Sequence, residues 1–119
     1  MIVVNLQQKL SQFSDPWNPR IVGRLNGQLV KVVKLAGEFV WHHHENEDEL
    51  FLVLSGTLRM KFRDGERVLT AGELIIVPRG VEHLPVAEPE CHVMLFEPES
   101  TLNTGNVESE RTVRTLETL

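Results

Sequence analysis

Short apolar runs separated by glycine and proline turns constrain the fold of this 119-residue chain more than any other feature. Between positions 57 and 63, Leu58, Met60 and Phe62 alternate with polar or charged residues, which is the period of a β-strand. Asn26-Gly27 lies between two apolar runs and predicts a hairpin, because both residues tolerate positive φ. The predicted strands cover residues 21–25, 28–35, 50–54, 57–63, 68–69, 74–77 and 92–96. Short strands with this punctuation are typical of an all-β sandwich or barrel.

A single domain with an N-terminal helix, a barrel and a C-terminal tail accounts for the length and the pattern. Asn5 and Gln8 resemble a capping box and predict the start of a short helix, which is followed by a connector. We expect Asp15-Pro16 to end this helix, because the residue before a proline disfavours helical geometry. The polar tail can be an arm, a final edge strand or a partly disordered segment. The three predicted parts are, in order, residues 1–20, 21–98 and 99–119.

The charge and the cysteine content exclude several classes of partner and location. A net charge of −5 argues against nucleic acid and anionic membranes, because both need a basic surface. Cys91 is the single cysteine, so the fold needs no disulfide and no oxidising compartment. No apolar run approaches the length of a membrane span, and the apolar stretch at residues 1–4 is too short for a secretory signal. We therefore expect a cytoplasmic protein.

A run of three histidines is the strongest chemical feature of the sequence. On a strand, successive side chains alternate faces, so His42 and His44 share one face, and His43 takes the other face together with Trp41 and Phe39. Two imidazoles on one face, followed closely by a carboxylate, are donors of the kind that bind metals. The run therefore predicts a metal site.

The spacing of glycines, histidines and a glutamate around this run resembles a known pair of motifs. The first reads Gly-x4-His-x-His-x4-Glu-x6-Gly over residues 37–56, and the second reads Gly-x5-Pro-x-Gly-x2-His over residues 72–83. Together they resemble the two sequence motifs of the cupin superfamily, although that family usually has five residues before its first histidine where this chain has four. The asparagine that often follows the family's last histidine is Ala87 here. With Asp48-Glu49-Leu50-Phe51 and Asn103-Thr104-Gly105, the chain is similar to small single-domain cupins described as mannose-6-phosphate-isomerase-like.

This resemblance implies a double-stranded β-helix, or jelly-roll barrel, with a metal inside its wide end. His42, His44, Glu49 and His83 map onto the metal ligands of the family. Three imidazoles and one carboxylate can occupy one side of an octahedron and leave positions for water or substrate. We predict one divalent transition metal ion, and the donor types alone do not choose among Fe, Mn, Ni, Co, Cu and Zn.

Three functions are compatible with such a site. The first is a metal-dependent enzyme acting on a small molecule, with isomerase-like or dioxygenase-like chemistry. The second is a non-enzymatic protein that binds a small ligand or a structural metal, and the third is a cupin with an empty site. No catalytic residue is assigned, because Glu82, His92 and Glu97 are acid–base candidates by type only. Either Cys91 or His92 is expected to face inward. We also predict a homodimer, since small jelly rolls have sheet edges to cover.

Overall fold

Seven antiparallel strands and one short helix form the chain in a computed structural model, which describes residues 1–119. Every pairing between strands is antiparallel. The all-β prediction is confirmed, and the predicted hairpin at Asn26-Gly27 joins the first two strands. The elements are α1 Leu6–Leu10, β1 Arg20–Leu25, β2 Gln28–Glu38, β3 Glu49–Ser55, β4 Thr57–Phe62, β5 Gly65–Thr70, β6 Leu74–Val77 and β7 His83–Pro98.

The long strand β7 takes part in two sheet surfaces and so wraps the chain around its core. Its first residues, 83–87, pair with β4, which in turn pairs with β5. Its later residues, 91–98, pair with β2 and in part with β3, which gives the strand order β1-β2-β7-β3-β6. Because one strand serves both surfaces, the sheet curls on itself as the predicted jelly-roll barrel requires.

The barrel interior is filled by apolar side chains from several strands. The alternation of β4 is confirmed, since Leu58 and Met60 have no exposed surface and Phe62 packs at the edge of the core. Phe51 and Val53 of β3 are buried in the same cluster. Close packing of this kind leaves few alternative side-chain positions, so the core gives the site a rigid wall.

Strand β7 begins earlier than the sequence predicts, at His83 rather than at residue 92. The prolines of this segment argue against a strand, because proline cannot donate to the ladder. A proline loses only its own donor, however, and the Pro85 carbonyl still accepts a hydrogen bond from Phe39 N at 3.0 Å. On the other side of β7, the pairing with β4 also continues through Pro85, which lies opposite Met60.

The N-terminal helix is shorter than predicted. Asn5 caps it as expected, because its side chain accepts a hydrogen bond from Gln8 N at 2.9 Å. The helix ends at Leu10 rather than at Asp15-Pro16, since the Ser11 hydroxyl donates to the Gln8 carbonyl and competes with a further turn. No helix of the chain is long and apolar enough to cross a membrane.

The C-terminal tail packs against the barrel and is neither a free arm nor a regular strand. Ile21 N donates to Glu117 O, and Leu119 N donates to Ile21 O, both at 2.9 Å. These bonds form one isolated parallel bridge between Ile21 and Thr118, beside β1. The rest of the tail consists of turns and irregular segments.

Candidate metal centre

Four side chains that can bind a metal converge inside the barrel. The donor atoms of His42, His44, Glu49 and His83 all lie within 4.8 Å of one another, and all four residues are buried. Glu49 is the first residue of β3 and His83 is the first residue of β7, whereas the two other histidines lie on the loop between β2 and β3. The structure thus brings the whole predicted set together from three segments of the chain.

The loop that carries two of these histidines is not a strand, although its side chains alternate as on a strand. His42 and His83 exchange both backbone hydrogen bonds, with N to O distances of 3.1 and 2.9 Å, and so form one isolated bridge. The His44 carbonyl accepts a hydrogen bond from Gly80 N at 2.8 Å. His43 is half-buried, and its imidazole pairs with a neighbouring glutamate outside the cluster. The predicted division of the histidine run is therefore confirmed.

The predicted outward position of Phe39 is wrong. Its ring stacks on Trp17 with centroids 4.6 Å apart and meets His42 edge-on at 5.4 Å. Strand β2 ends one residue before Phe39, so alternation cannot be counted back to it along a continuous strand. Trp41 is half-buried beneath Arg63, whose Cζ lies 3.9 Å from the centroid of its ring.

Backbone carbonyls determine which imidazole nitrogens face the centre. Nδ1 of His42 donates to Val40 O, and Nδ1 of His83 donates to Val81 O, both at 2.9 Å. A carbonyl can only accept, so both Nδ1 atoms carry protons and the neutral rings keep a lone pair on Nε2. Anchoring one ring nitrogen in this way orients the other nitrogen toward a metal.

The nitrogen atoms of His44 and His83 lie close to the Glu49 carboxylate at the centre of the cluster. Nε2 of His44 and Nε2 of His83 each lie 3.3 Å from Oε1 of Glu49. Neither ring nitrogen of the buried His44 has a hydrogen-bond partner, although buried polar atoms are normally paired. Because Nδ1 of His83 already carries the ring proton, the neutral ring turns a lone pair toward this carboxylate oxygen. A metal ion held by these groups would give the nitrogens of His83 and His44 and the carboxylate a common partner. The residues therefore fit a metal ion.

The protonation states of His42 and Glu49 also suit metal binding. Burial, reinforced by the neighbouring His83, lowers the pKa of His42 from 6.5 to about 4. Burial by itself raises the pKa of Glu49, but the Glu97 carboxyl and the His44 imidazole outweigh it and hold this pKa well below 4.5. A neutral imidazole and an ionised carboxylate are the forms that coordinate metals.

The separations of the donor atoms match those around a transition metal. Bonds of about 2.1 Å place neighbouring donors of an octahedron about 3 Å apart and opposite donors about 4 Å apart. The two nitrogen to oxygen distances of 3.3 Å are near the first value, and all four donor atoms lie within 4.8 Å of one another, so small side-chain shifts would bring them onto one ion. Three nitrogen donors and one oxygen donor suit divalent transition metals better than magnesium or calcium.

A salt bridge not foreseen from the sequence joins the two turns that precede β3 and β7. Arg79 N donates to Asp48 Oδ1 at 2.8 Å, and Arg79 Nε contacts the same oxygen at 3.2 Å. These bonds hold the pKa of the Asp48 carboxyl below its usual range. Because Asp48 immediately precedes Glu49, and Arg79 lies in the turn before His83, the pair helps to set the spacing between these two donors.

A small cavity of about 40 Å³ opens beside the candidate ligands Glu49 and His42, and it has room for a few water molecules. Most of its wall is apolar. Trp17 belongs to this wall, although the sequence assigned it to the connector, and its Nε1 donates to Ala36 O at 2.8 Å. The apolar side chains around the cavity include Trp17, Val33, Leu35, Phe39, Phe51 and Leu95.

Glu97 is a buried carboxyl next to the candidate ligand Glu49. Leu50 pairs with Phe96, so the adjoining residues Glu49 and Glu97 lie opposite each other on β3 and β7. Oε1 of Glu97 accepts from Lys31 Nζ at 2.7 Å, whereas Oε2 has no hydrogen-bond partner. Burial and the Glu49 carboxylate raise the pKa of Glu97 well above 4.5, and Lys31 opposes this rise only in part. Glu97 therefore brings a proton-carrying carboxyl to the edge of the cavity.

The other candidates for acid–base chemistry lie away from this cavity. Glu82 is exposed and pairs with Arg63, and His92 lies on the outer side of β7 beside a glutamate. Cys91 takes the inward position, where burial raises the pKa of its thiol to about 11, so it acts as a small apolar residue. Residues 91, 93, 95 and 97 of β7 share one face, so a strand that places Cys91 inward also places Glu97 inward. Strand alternation is thus the sequence signal that could have identified Glu97 as an interior residue.

Comparison with known proteins gives one family. A family model described as a cupin domain matches residues 29–97. A cupin-2 domain containing protein from Shewanella frigidimarina NCIMB 400 is 46% identical, and the match covers 82% of this chain and 95% of that chain with a TM-score of 0.81. A protein from Neisseria meningitidis is 32% identical, with coverage of 82% and 100% and a TM-score of 0.75. The uncharacterized protein YdbB of Bacillus subtilis strain 168 is 40% identical over 63 residues, which are 52% of this chain and 56% of that protein. The chain thus matches little more than half the length of this relative.

Proposed function

This chain belongs to the cupin domain family, and we propose that it is a metal-dependent enzyme acting on a small molecule. In this proposal His42, His44, Glu49 and His83 hold one divalent transition metal ion. The observation that supports it is the convergence of these four buried donors beside a cavity that His42, Glu49 and Glu97 help to line. Four protein donors leave two positions of an octahedron for a ligand.

A metal of this kind supplies Lewis-acid polarisation of a carbonyl or hydroxyl group, or electrons for oxygen chemistry when it is redox-active. The apolar wall excludes water, which strengthens electrostatic interactions within the cavity. Glu97 is the candidate general acid and base, because its unpaired Oε2 can give or take a proton. Lys31 holds the other oxygen of this carboxyl and so fixes the orientation of the group.

Elemental analysis of the purified and reconstituted protein tests the metal site. We expect about one equivalent of a transition metal in the wild type, as three imidazoles and a carboxylate form a single site. The His42→Ala variant should retain only trace metal. His43→Ala is the matched control, because it removes the neighbouring histidine that lies outside the cluster, and its metal content should equal that of the wild type. A wild type that keeps no more than trace metal after reconstitution refutes the proposal.

Thermal unfolding gives an independent measure of the same binding. A ligand at 100 times its Kd stabilises the folded state by about 2.7 kcal/mol. An unfolding entropy of about 2.1 cal/mol/K per residue then predicts a rise in Tm of about 11 °C for 119 residues. The rise should be absent in His42→Ala and present in His43→Ala.

The native metal separates the two reaction classes that we predict. Iron would favour dioxygenase-like chemistry, followed as oxygen uptake, whereas zinc or manganese would favour isomerase-like chemistry on sugars or keto acids, followed by NMR. In either class Glu97→Gln should lower turnover by about 100-fold or more with the metal content unchanged. A metal coordinated only by protein atoms in X-ray absorption would instead favour the alternative of a structural or ligand-binding cupin. The mannose-6-phosphate-isomerase-like similarity and the cytoplasmic location stay predictions.

We further expect this protein to form a homodimer through the open edge of β6. Leu74 and Ile76 of this strand are 55% and 56% exposed, and β6 pairs only with β3. An exposed apolar edge strand favours pairing with another chain, and we assign a second copy of this chain as the partner. Light scattering at micromolar concentration should give a dimer mass, and Ile76→Lys should give a monomer. The control Val68→Lys changes an exposed valine of β5 and should stay dimeric, whereas a monomeric wild type would contradict the prediction.

A further inference from the structure

A turn of the C-terminal tail, residues 103–106, clamps the loop that carries two of the histidine donors. His43 N donates to Asn106 Oδ1 at 2.8 Å, and Asn106 N donates to His43 O at 3.0 Å. Both backbone groups of His43 are therefore bonded to a single residue of the tail. Because His43 joins His42 to His44, these two bonds fix the backbone between two donors.

The neighbouring Gly105 packs directly against the same loop. A Cβ atom at this position would lie 2.2 Å from His43 O and 3.2 Å from Cδ2 of His42. The φ of Gly105 is +56°, in the left-handed region. Cδ2 is bonded to Nε2, the nitrogen that faces the centre, so a Cβ at position 105 would press on the donor ring itself.

The rest of the tail holds this turn in place. Asn103 Nδ2 donates to Arg111 O at 2.8 Å, and Val113 N donates to Asn103 Oδ1 at 2.9 Å. Thr104 is fully buried, and its hydroxyl hydrogen-bonds the hydroxyl of Thr112 at 2.7 Å. The clamp is therefore anchored by one further segment of the tail, residues 111–113, and does not depend on its contact with His43 alone.

We propose that Gly105 and Asn106 are positioning residues of the metal centre, which hold the His42–His44 loop at the spacing that a metal needs. This inference rests on the proposed metal site and extends it to a part of the chain outside the barrel. The tail contributes no donor of its own. It fixes the backbone between two donors, as groups around a metal site commonly do.

Titration with Co²⁺ alone tests the clamp through affinity and through the visible spectrum of the bound ion. Asn106→Ala removes the acceptor for His43 N, and we expect a Kd about 10- to 100-fold weaker with a changed spectrum. Asn106→Asp keeps an acceptor oxygen and should restore most of the affinity and the wild-type spectrum. Gly105→Ala should weaken binding at least as much as Asn106→Ala, because its Cβ displaces the loop.

Gly72→Ala is the matched control for the glycine substitution. Gly72 also has positive φ, +88°, but a Cβ there has nothing within 4 Å, so the variant carries similar backbone strain away from the site and should bind Co²⁺ as the wild type does. Hydrogen exchange on the wild type adds a second readout, since bound metal should slow exchange of the His43 and Asn106 amides.

The outcomes separate this inference from the proposed function. A wild type that does not bind Co²⁺ overturns both. A wild type that binds Co²⁺, together with an Asn106→Ala variant of unchanged affinity and spectrum, overturns the clamp and leaves the metal site standing. The clamp is likewise overturned if Asn106→Asp binds as weakly as Asn106→Ala. The Asn106 series decides the matter even if Gly105→Ala does not fold.

Discussion

Acid destabilisation of the metal-free protein depends on His42. Its pKa is 6.5 in an ordinary setting and about 4 in the folded protein, so the unfolded chain binds more protons between these values and stability falls as pH is lowered. The folded state retains the full contribution of this group above pH 6.5. Linkage gives a loss of about 2 kcal/mol at pH 5 and about 3 kcal/mol at pH 4. The loss arises because burial disfavours the protonated imidazole, and the same burial leaves Nε2 of His42 unprotonated and able to bind a metal.

Urea unfolding with a chelator present, at intervals from pH 7.5 to pH 4, measures this loss. The His42→Gln variant cannot gain the proton, so its free energy of unfolding should fall about 3 kcal/mol less than that of the wild type over the same range. His92→Gln removes a histidine outside the cluster and should follow the wild-type curve. Parallel curves for the wild type and His42→Gln would refute the assignment of a neutral, buried His42.

Three further substitutions or treatments test the interior. Gly56→Ala should destabilise the fold by about 3 kcal/mol or more in denaturant unfolding, because its Cβ would lie 2.4 Å from a backbone carbonyl of β7. The control Gly27→Ala should cost only about 1–2 kcal/mol, because a Cβ at that position has nothing within 4 Å. Lys31→Met should cost about 1–3 kcal/mol, nearly equally at pH 7 and pH 5, because the Glu97 carboxyl already carries its proton and loses one hydrogen-bond partner; a cost that falls steeply toward pH 5 would contradict this. Cys91 should not react with a thiol reagent in the native protein and should react once unfolded, since it is buried and its pKa is raised to about 11.

Strand alternation accounts for predictions that the structure confirms and also for one that is wrong. It places Leu58 and Met60 in the core, where both are fully buried, because β4 is a continuous strand. It fails at Phe39, because the chain leaves β2 just before this residue. It describes the histidine run correctly only because the bridge between His42 and His83 imposes strand-like geometry there.

The candidate donors follow from the sequence, since the spacing of histidines and a glutamate is a local property that the chain carries wherever it folds. The groups that surround them do not follow from it. Lys31 and Glu97 are 66 positions apart and meet only because β2 and β7 pair. His43 and Asn106 are 63 positions apart and meet only because the tail folds back over the barrel.

Residue types and short-range periodicity are therefore enough to establish the all-β class, the main turns and the residues able to bind a metal, because these properties need no tertiary contacts. Three other properties depend on how the chain folds back on itself: which groups orient those donors, which carboxyl borders the cavity and where the tail lies. The physical reason is that hydrogen bonds and burial join residues distant in the chain, and no local pattern encodes such contacts.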